Sequence, residues 1–360
     1  MKFVAFLVFG FSGFALFAGT ALPREDWGAP LVKVSQENET WRLTGKKQTV
    51  TLDQKTLALA VQAGPARWQM TSSLTNDLVV RFHGNDYSVR LADARSITVA
   101  PYDTGFKTGL KLSLSDWALP GVTADHPDIT LFLTICLEGR DEELVFDIAA
   151  AERSAVVRRL DWPPALDASA VDDTVLSNVR GVLLPRDYPK PYFPIRSSNP
   201  DGTIKTNDTS EIQSNVIEDW SMSWWGFQKG KSAMMVIIET ADDAAYQFNH
   251  PAGGPTVIGP RWRSSLGKLA YLRTARMCFF PEGDYVTLAK RYRRYARETG
   301  LFVSLQEKIA RQPIVGDLIA TPLMRAGILT NFKPDGDRAR RTPDPAERHH
   351  ITSFEDRAKF

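Results

Sequence analysis

The chain is poor in cysteine, in histidine and in net charge, and each shortage removes a class of function. Of 360 residues only Cys136 and Cys278 are cysteine. Both sit in apolar runs (Leu131-Phe-Leu-Thr-Ile-Cys136 and Met277-Cys-Phe-Phe280). A disulfide framework is therefore excluded, and one bridge or two buried thiols are the options left. The five histidines are scattered except for His349-His350, and neighbours on a chain point in different directions. No metal site and no cofactor is assigned. A net charge of +2 gives no footing for nucleic acid, and the basic run Lys290 to Arg297 reads as the solvated face of a helix. There is no internal repeat and no low-complexity tract.

Long apolar runs are also scarce. The longest, Phe3 to Ala18, is about 16 residues, short of the roughly 20 that a membrane span needs. Lys2 before it and Gly19-Thr20-Ala21 after it complete a signal peptide over residues 1–21. The protein is expected to be exported, periplasmic or secreted, with no stable membrane span after cleavage. Pro23 is unfavourable close to a cleavage site, so an uncleaved anchor stays open.

What the chain has is strands. Thr49-Val-Thr-Leu-Asp, Leu78-Val-Val-Arg-Phe82, Ile129 to Leu137, Leu144 to Ile148, Met234 to Glu239 and Leu269 to Phe280 are runs of β-formers. Turn residues such as Ala63-Gly-Pro65 and Gly84-Asn-Asp86 separate them. More than ten strands cannot stay one open sheet, so the pattern predicts a large antiparallel β-sandwich over 30–283. Asp187 to Asn215, rich in proline, reads as a loop. After Gly283 the periodicity becomes helical. Asp284 is the expected N-cap of a helix stopping at Gly300, and a second helix fits Leu305 to Ala310. Residues 284–322 thus form a helical linker, and 323–360 read as a strand, a loop and the start of a helix.

The candidate site residues cluster at 219–225. Trp220, Trp224 and Trp225 crowd beside Asp219. An indole stacks on the apolar face of a pyranose while a carboxylate accepts from its hydroxyls, and a concave site needs aromatics with a few polar groups. The same cluster fits a sandwich core that uses tryptophan as filler. Arg325, on the presumed strand after the linker, is a further candidate for the sugar. Adjacent pairs such as Asp242-Asp243 rarely converge on one substrate atom, because neighbours on a strand face opposite sides; they read as turn residues. No catalytic residue is assigned.

Asp219-Trp-Ser-Met-Ser-Trp-Trp-Gly226, Glu239-Thr-Ala-Asp-Asp-Ala244, Phe280-Pro-Glu-Gly-Asp-Tyr285, Tyr292-Arg-Arg-Tyr-Ala-Arg-Glu-Thr-Gly300 and Ser353-Phe-Glu-Asp-Arg-Ala-Lys-Phe360 together resemble the N-terminal half of secreted glycoside hydrolases of the endo-α-N-acetylgalactosaminidase type. The resemblance covers roughly residues 180–360 and is weaker before them. It implies a galactose-mutarotase-like β-sandwich that leads through helices into the first strand and helix of an incomplete, truncated (β/α) barrel. In that family two barrel carboxylates, about 5–5.5 Å apart as retention requires, come from later barrel strands. The expectation is therefore a sugar-handling sandwich without the catalytic carboxylates, whose partner is a glycan and whose barrel half could be separately encoded. A non-catalytic, secreted carbohydrate-binding β-sandwich is the alternative. A polysaccharide lyase is a weaker third reading, because the Tyr, His and Arg residues are too dispersed to nominate a proton-abstracting set.

Overall fold

Alternation decides the architecture. Along Gln48–Asp53 and Leu78–Phe82 every second side chain is buried, the pattern of a sheet with one covered face. The computed structural model describes residues 24–319, apart from 75, 124, 179–180, 189–194, 199–203, 208–210, 217–219, 252–253 and 265–266. Three large antiparallel sheets account for most of them. The first has five strands in sequence order, Lys33–Glu37, Thr40–Thr44, Gln48–Asp53, Leu59–Ala63 and Ala66–Gln69. The second has nine, ordered Val182–Pro185, Asp173–Asn178, Trp220–Lys229, Ser232–Ile238, Arg273–Phe280, Glu143–Glu152, Ile129–Glu138, Lys107–Ser115 and Ser96–Asp103. The third has seven, with Ala244–Asn249, Val257–Arg263, Val156–Leu160 and Leu78–Phe82 at its centre.

The nine- and seven-stranded sheets share one core. Leu112, Leu133, Phe146 and Trp225 from the former pack in one cluster with Val80, Val157, Tyr246 and Trp262 from the latter. The five-stranded sheet adds Val50, Val61 and Trp68 to the same cluster. A buried polar group needs a partner, and the Trp262 indole finds one by donating to the Trp162 carbonyl at 2.5 Å.

Ser232–Ile238 departs from alternation, since all seven residues are buried. A strand reads this way when both faces are covered. One face meets the opposing sheet. The other meets helix α1 (Tyr285–Glu298), whose Leu288, Tyr292, Tyr295 and Ala296 pack on Trp224, Met235, Ile237 and Cys278. Asp284 caps α1 through the Thr287 amide at 2.9 Å, and Thr287 returns the bond to the Asp284 amide, a reciprocal cap. Helix α2 (Leu305–Arg311) starts on the same device, Ser304 with Glu307, and a 3-10 turn Pro313–Leu318 follows. Gly226 is what lets α1 lie so close to the sheet. A Cβ there would stand 2.4 Å from Leu288 Cδ1 and 2.8 Å from the Met234 carbonyl oxygen.

One expectation needs revision. The stretch Asp187 to Asn215 is not simply a loop. It contains the hairpin Ile195–Ser198 with Ile204–Asn207, and the strand Glu211–Asn215, which pairs with Ala244–Asn249. Asp242 and Asp243 are turn residues, as expected, and Asp243 also accepts from Tyr271 at 2.5 Å and pairs with the buried Arg273 at 3.1 Å. The signal segment 1–21, the presumed barrel start 323–360, Asp219 and Arg325 all lie outside the described residues.

Candidate functional site

The three tryptophans are core side chains. Trp220, Trp224 and Trp225 are 8%, 3% and 0% exposed. Consecutive strand residues face opposite ways, so Trp225 enters the core between the sheets while Trp224 turns to α1, its ring 6.2 Å from that of Tyr292. Trp220 stands edge-on to Trp225 at 5.8 Å and to Tyr246 at 4.6 Å. These ring faces are occupied by protein and leave no open face for a pyranose. Of the two readings open to the sequence, filler of the core describes them. The two cysteines are likewise interior: both are buried and unpaired. Burial pushes the Cys136 thiol up to about 12 and Cys278 well above its usual value, so neither is a nucleophile at neutral pH.

A concave feature lies elsewhere among the described residues, in a cleft of about 540 Å³ beside α1, within the range of ligand pockets. Register builds its floor. Glu138 pairs with Glu143 across one hairpin, and Arg276 lies opposite Val145 on one side and Ile237 on the other. Alternation then puts Glu138, Glu143, Arg276 and Glu239 on the face that α1 covers. Arg276 meets three carboxylates: Glu138 at 2.5 Å, Glu239 at 2.5 Å and Glu143 at 3.1 Å. From α1, Arg291 grips Glu143 with two bonds of 2.5 and 2.6 Å. Tyr295 and Glu298 of the same helix complete that wall.

Electrostatics sets what this cleft can do. Burial pushes the Glu143 carboxyl up, but the hydrogen bonds and charge of Arg291, with Arg276 behind, outweigh it and hold Glu143 below the usual carboxylate range. Burial works against the Arg276 charge, yet Glu239 and Glu138 raise its pKa above the ordinary arginine value. Burial and then the Glu239 charge push Tyr295 up to about 12. A general acid needs a carboxyl with a raised pKa, and Glu143 moves the other way. The cleft therefore offers fixed charges and acceptors, suited to holding a polar ligand. Among the described residues no group of three His, Cys, Asp or Glu is placed to hold a metal ion.

Asp77 is the carboxyl that does move upward. It is 4% exposed, and burial raises it to about 6 against the bonds from Ser73, Leu91 and Leu74. Those three bonds, of 2.5, 2.6 and 2.9 Å, occupy both oxygens. The cavity beside it is only about 20 Å³, room for little more than one water. Asp77 ties a loop to Leu91 and has no space for a substrate.

Sequence reasoning missed the cleft because its residues are far apart in the chain. A signal was present nonetheless. Arg276 interrupts an apolar strand, and Arg291 falls in the buried stripe Leu288, Tyr292, Tyr295 of α1. Charges at inward positions are rare unless paired.

No protein-family model matches the chain, and the comparison with curated proteins gives no match. Solved structures do match. An α-N-acetylgalactosaminidase, NagBb of Bifidobacterium bifidum, superposes with TM-score 0.67 at 24% identity as a quadruple mutant. Its complex with GalNAc gives 0.67 at 23%. Each match covers 88% of this chain and 48% of the other, so the chain spans about half the length of these structures. A galactose 1-epimerase of Lactobacillus acidophilus aligns over 71% of this chain and 99% of its own at 8% identity, with TM-score 0.39. No helix among the described residues is long and apolar enough to cross a membrane. The architecture is a large antiparallel β-sandwich followed by helices, the fold this chain shares with about half of the NagBb structure.

Proposed function

We propose that the chain is the sugar-handling N-terminal sandwich of an exported, glycoside-hydrolase-related protein, and that the described sandwich does not itself supply the catalytic carboxylates. The observation that carries this reading is the superposition on an α-N-acetylgalactosaminidase over 88% of the chain. The cleft chemistry supports the second half of it. Glycoside hydrolysis needs one carboxyl that can donate a proton and one free to attack or to activate water. In the cleft Glu138, Glu143 and Glu239 are all bonded to arginine, which disfavours both roles. The same pairing favours the alternative of a carbohydrate-binding sandwich that works without catalysis.

The test is a glycan array together with a hydrolysis assay on the purified full chain, using aryl α-N-acetylgalactosaminide as substrate. Binding of neutral, galactose-configured glycans without turnover is expected. Turnover would place catalytic carboxylates in the chain and end the second half of the reading. Silence across the array would end the first.

A further inference from the structure

The mouth of the charged cleft carries the open aromatic surface that the tryptophan-rich strand lacks. Trp27 closes the 3-10 turn Arg24–Trp27, and Phe106 lies between the paired strands Ser96–Asp103 and Lys107–Ser115. Both line the cleft. The rings stand 6.3 Å apart at 63°, and they are 46% and 66% exposed. They are held in place. Arg24 donates to the Asp103 carboxylate at 2.5 and 3.0 Å and to Thr108 Oγ1 at 2.9 Å, which clamps the 3-10 turn to the base of the hairpin. Gly28, at φ +80°, turns the chain immediately after Trp27, a conformation that costs glycine little. Two large rings fixed beside each other at the mouth of a cleft, each with about half or more of its surface open among the described residues, form an exposed apolar patch of the kind that marks an interaction site.

Deeper in the cleft a donor is left over. Arg291 is 6% exposed, and its Nε and Nη2 are spent on Glu143. Its Nη1 makes no hydrogen bond; the Glu298 carboxylate, 3.9 Å away, is within ionic range only. A buried guanidinium N–H without an acceptor is costly, and an oxygen entering the cleft would relieve it. Glu298 is half-exposed and long enough to rotate aside. Charge narrows the ligand further. The lining holds four carboxylates against two guanidiniums, an excess of two negative charges.

We propose that this cleft binds a neutral pyranose unit of a glycan. The ring stacks on Trp27 and Phe106, a hydroxyl or acetamido oxygen accepts from Arg291 Nη1, and other hydroxyls donate to the Glu239 and Glu298 carboxylates. The acidic lining rejects sulfated and uronic-acid sugars. This rests on the sugar-handling reading above and gives it a place and a charge preference.

The experiment titrates the full chain with the neutral disaccharide galactosyl-β-1,3-N-acetylgalactosamine and with a sulfated heparin disaccharide. It uses the wild type, Trp27→Ala and Phe106→Ala, with thermal unfolding of each as a folding control. The neutral sugar should bind the wild type and the sulfated one should not. Each substitution should weaken binding about tenfold or more, the worth of one lost ring contact, with unfolding unchanged. If the neutral disaccharide binds all three proteins alike, the cleft assignment falls and sugar handling survives. If the sulfated sugar binds better, the charge argument falls. If the wild type binds neither, the site is refuted, and the array then decides the broader reading separately.

Discussion

Two aromatic regions of this molecule invite opposite conclusions in sequence and in space. Residues 220–225 hold three tryptophans, and all are buried. Trp27 and Phe106 are 79 positions apart in the chain, yet they form an exposed pair over a charged cleft. Local density of aromatics therefore measures how much core a strand must fill. An aromatic left open at a cleft mouth, beside charged groups, is the better sign of a ligand.

The sharpest way to break this contrast is to remove a ring from each region. Trp225→Ala should cost about 3–5 kcal/mol, the usual loss for a large buried aromatic, read as a lower urea midpoint. If it unfolds at the wild-type midpoint, Trp225 is not core. Next comes the pairing that docks α1. Glu143→Gln strips the charge that balances the buried Arg291 and Arg276, and should cost roughly 3 kcal/mol in thermal unfolding. A cost near zero would mean that the cleft network is a solvated surface feature.

Two of the buried carboxyls, Asp77 and Glu143, should also part company with pH. Asp77 is raised from 3.8 to about 6, so its stabilising contribution is fully present below pH 3.8 and is lost as pH rises through 6. Glu143 is lowered from 4.5, so its contribution is present above that value and is lost as pH falls through its folded pKa. Between pH 8 and pH 5 the Asp77 linkage should add about 1–1.5 kcal/mol. Chemical denaturation at the two pH values should find that increment in the wild type and not in Asp77→Asn.

The packing of α1 over its glycine is an effect of comparable size. Gly226→Ala puts a methyl against Leu288 and a backbone carbonyl, and should cost about 1–3 kcal/mol as overpacking does. Denaturant midpoints measure it, and a neutral substitution would mean that α1 sits farther from the sheet. The smallest effect belongs to the open pair. Trp27→Ala should change stability by no more than about 0.5 kcal/mol, as at an ordinary surface position. A large loss in the same unfolding assay would make Trp27 structural and remove the contrast.

Much of the architecture was legible along the chain. The β-former run Leu78–Phe82, the cap at Asp284, and the helical stripe through Leu288, Tyr292 and Tyr295 are local patterns, and the structure carries each of them. The strands inside Asp187 to Asn215 were harder to see, because prolines and turn residues break up the β-formers there. The site was the least legible part. Glu138, Glu143, Glu239, Arg276 and Arg291 come from three strand ends, the middle of a fourth strand and a helix, and nothing short-range connects them.

Local order along the backbone, where periods of two and of 3.6 assign faces, was determined by the sequence alone: strands up to Phe280, helices after Gly283, and a chain with little cysteine and little net charge. Only the tertiary structure decided which tryptophans meet solvent and which carboxylates meet arginine. Burial and ion pairing are properties of contacts between distant residues, and the pairing of sheets and the docking of α1 create those contacts.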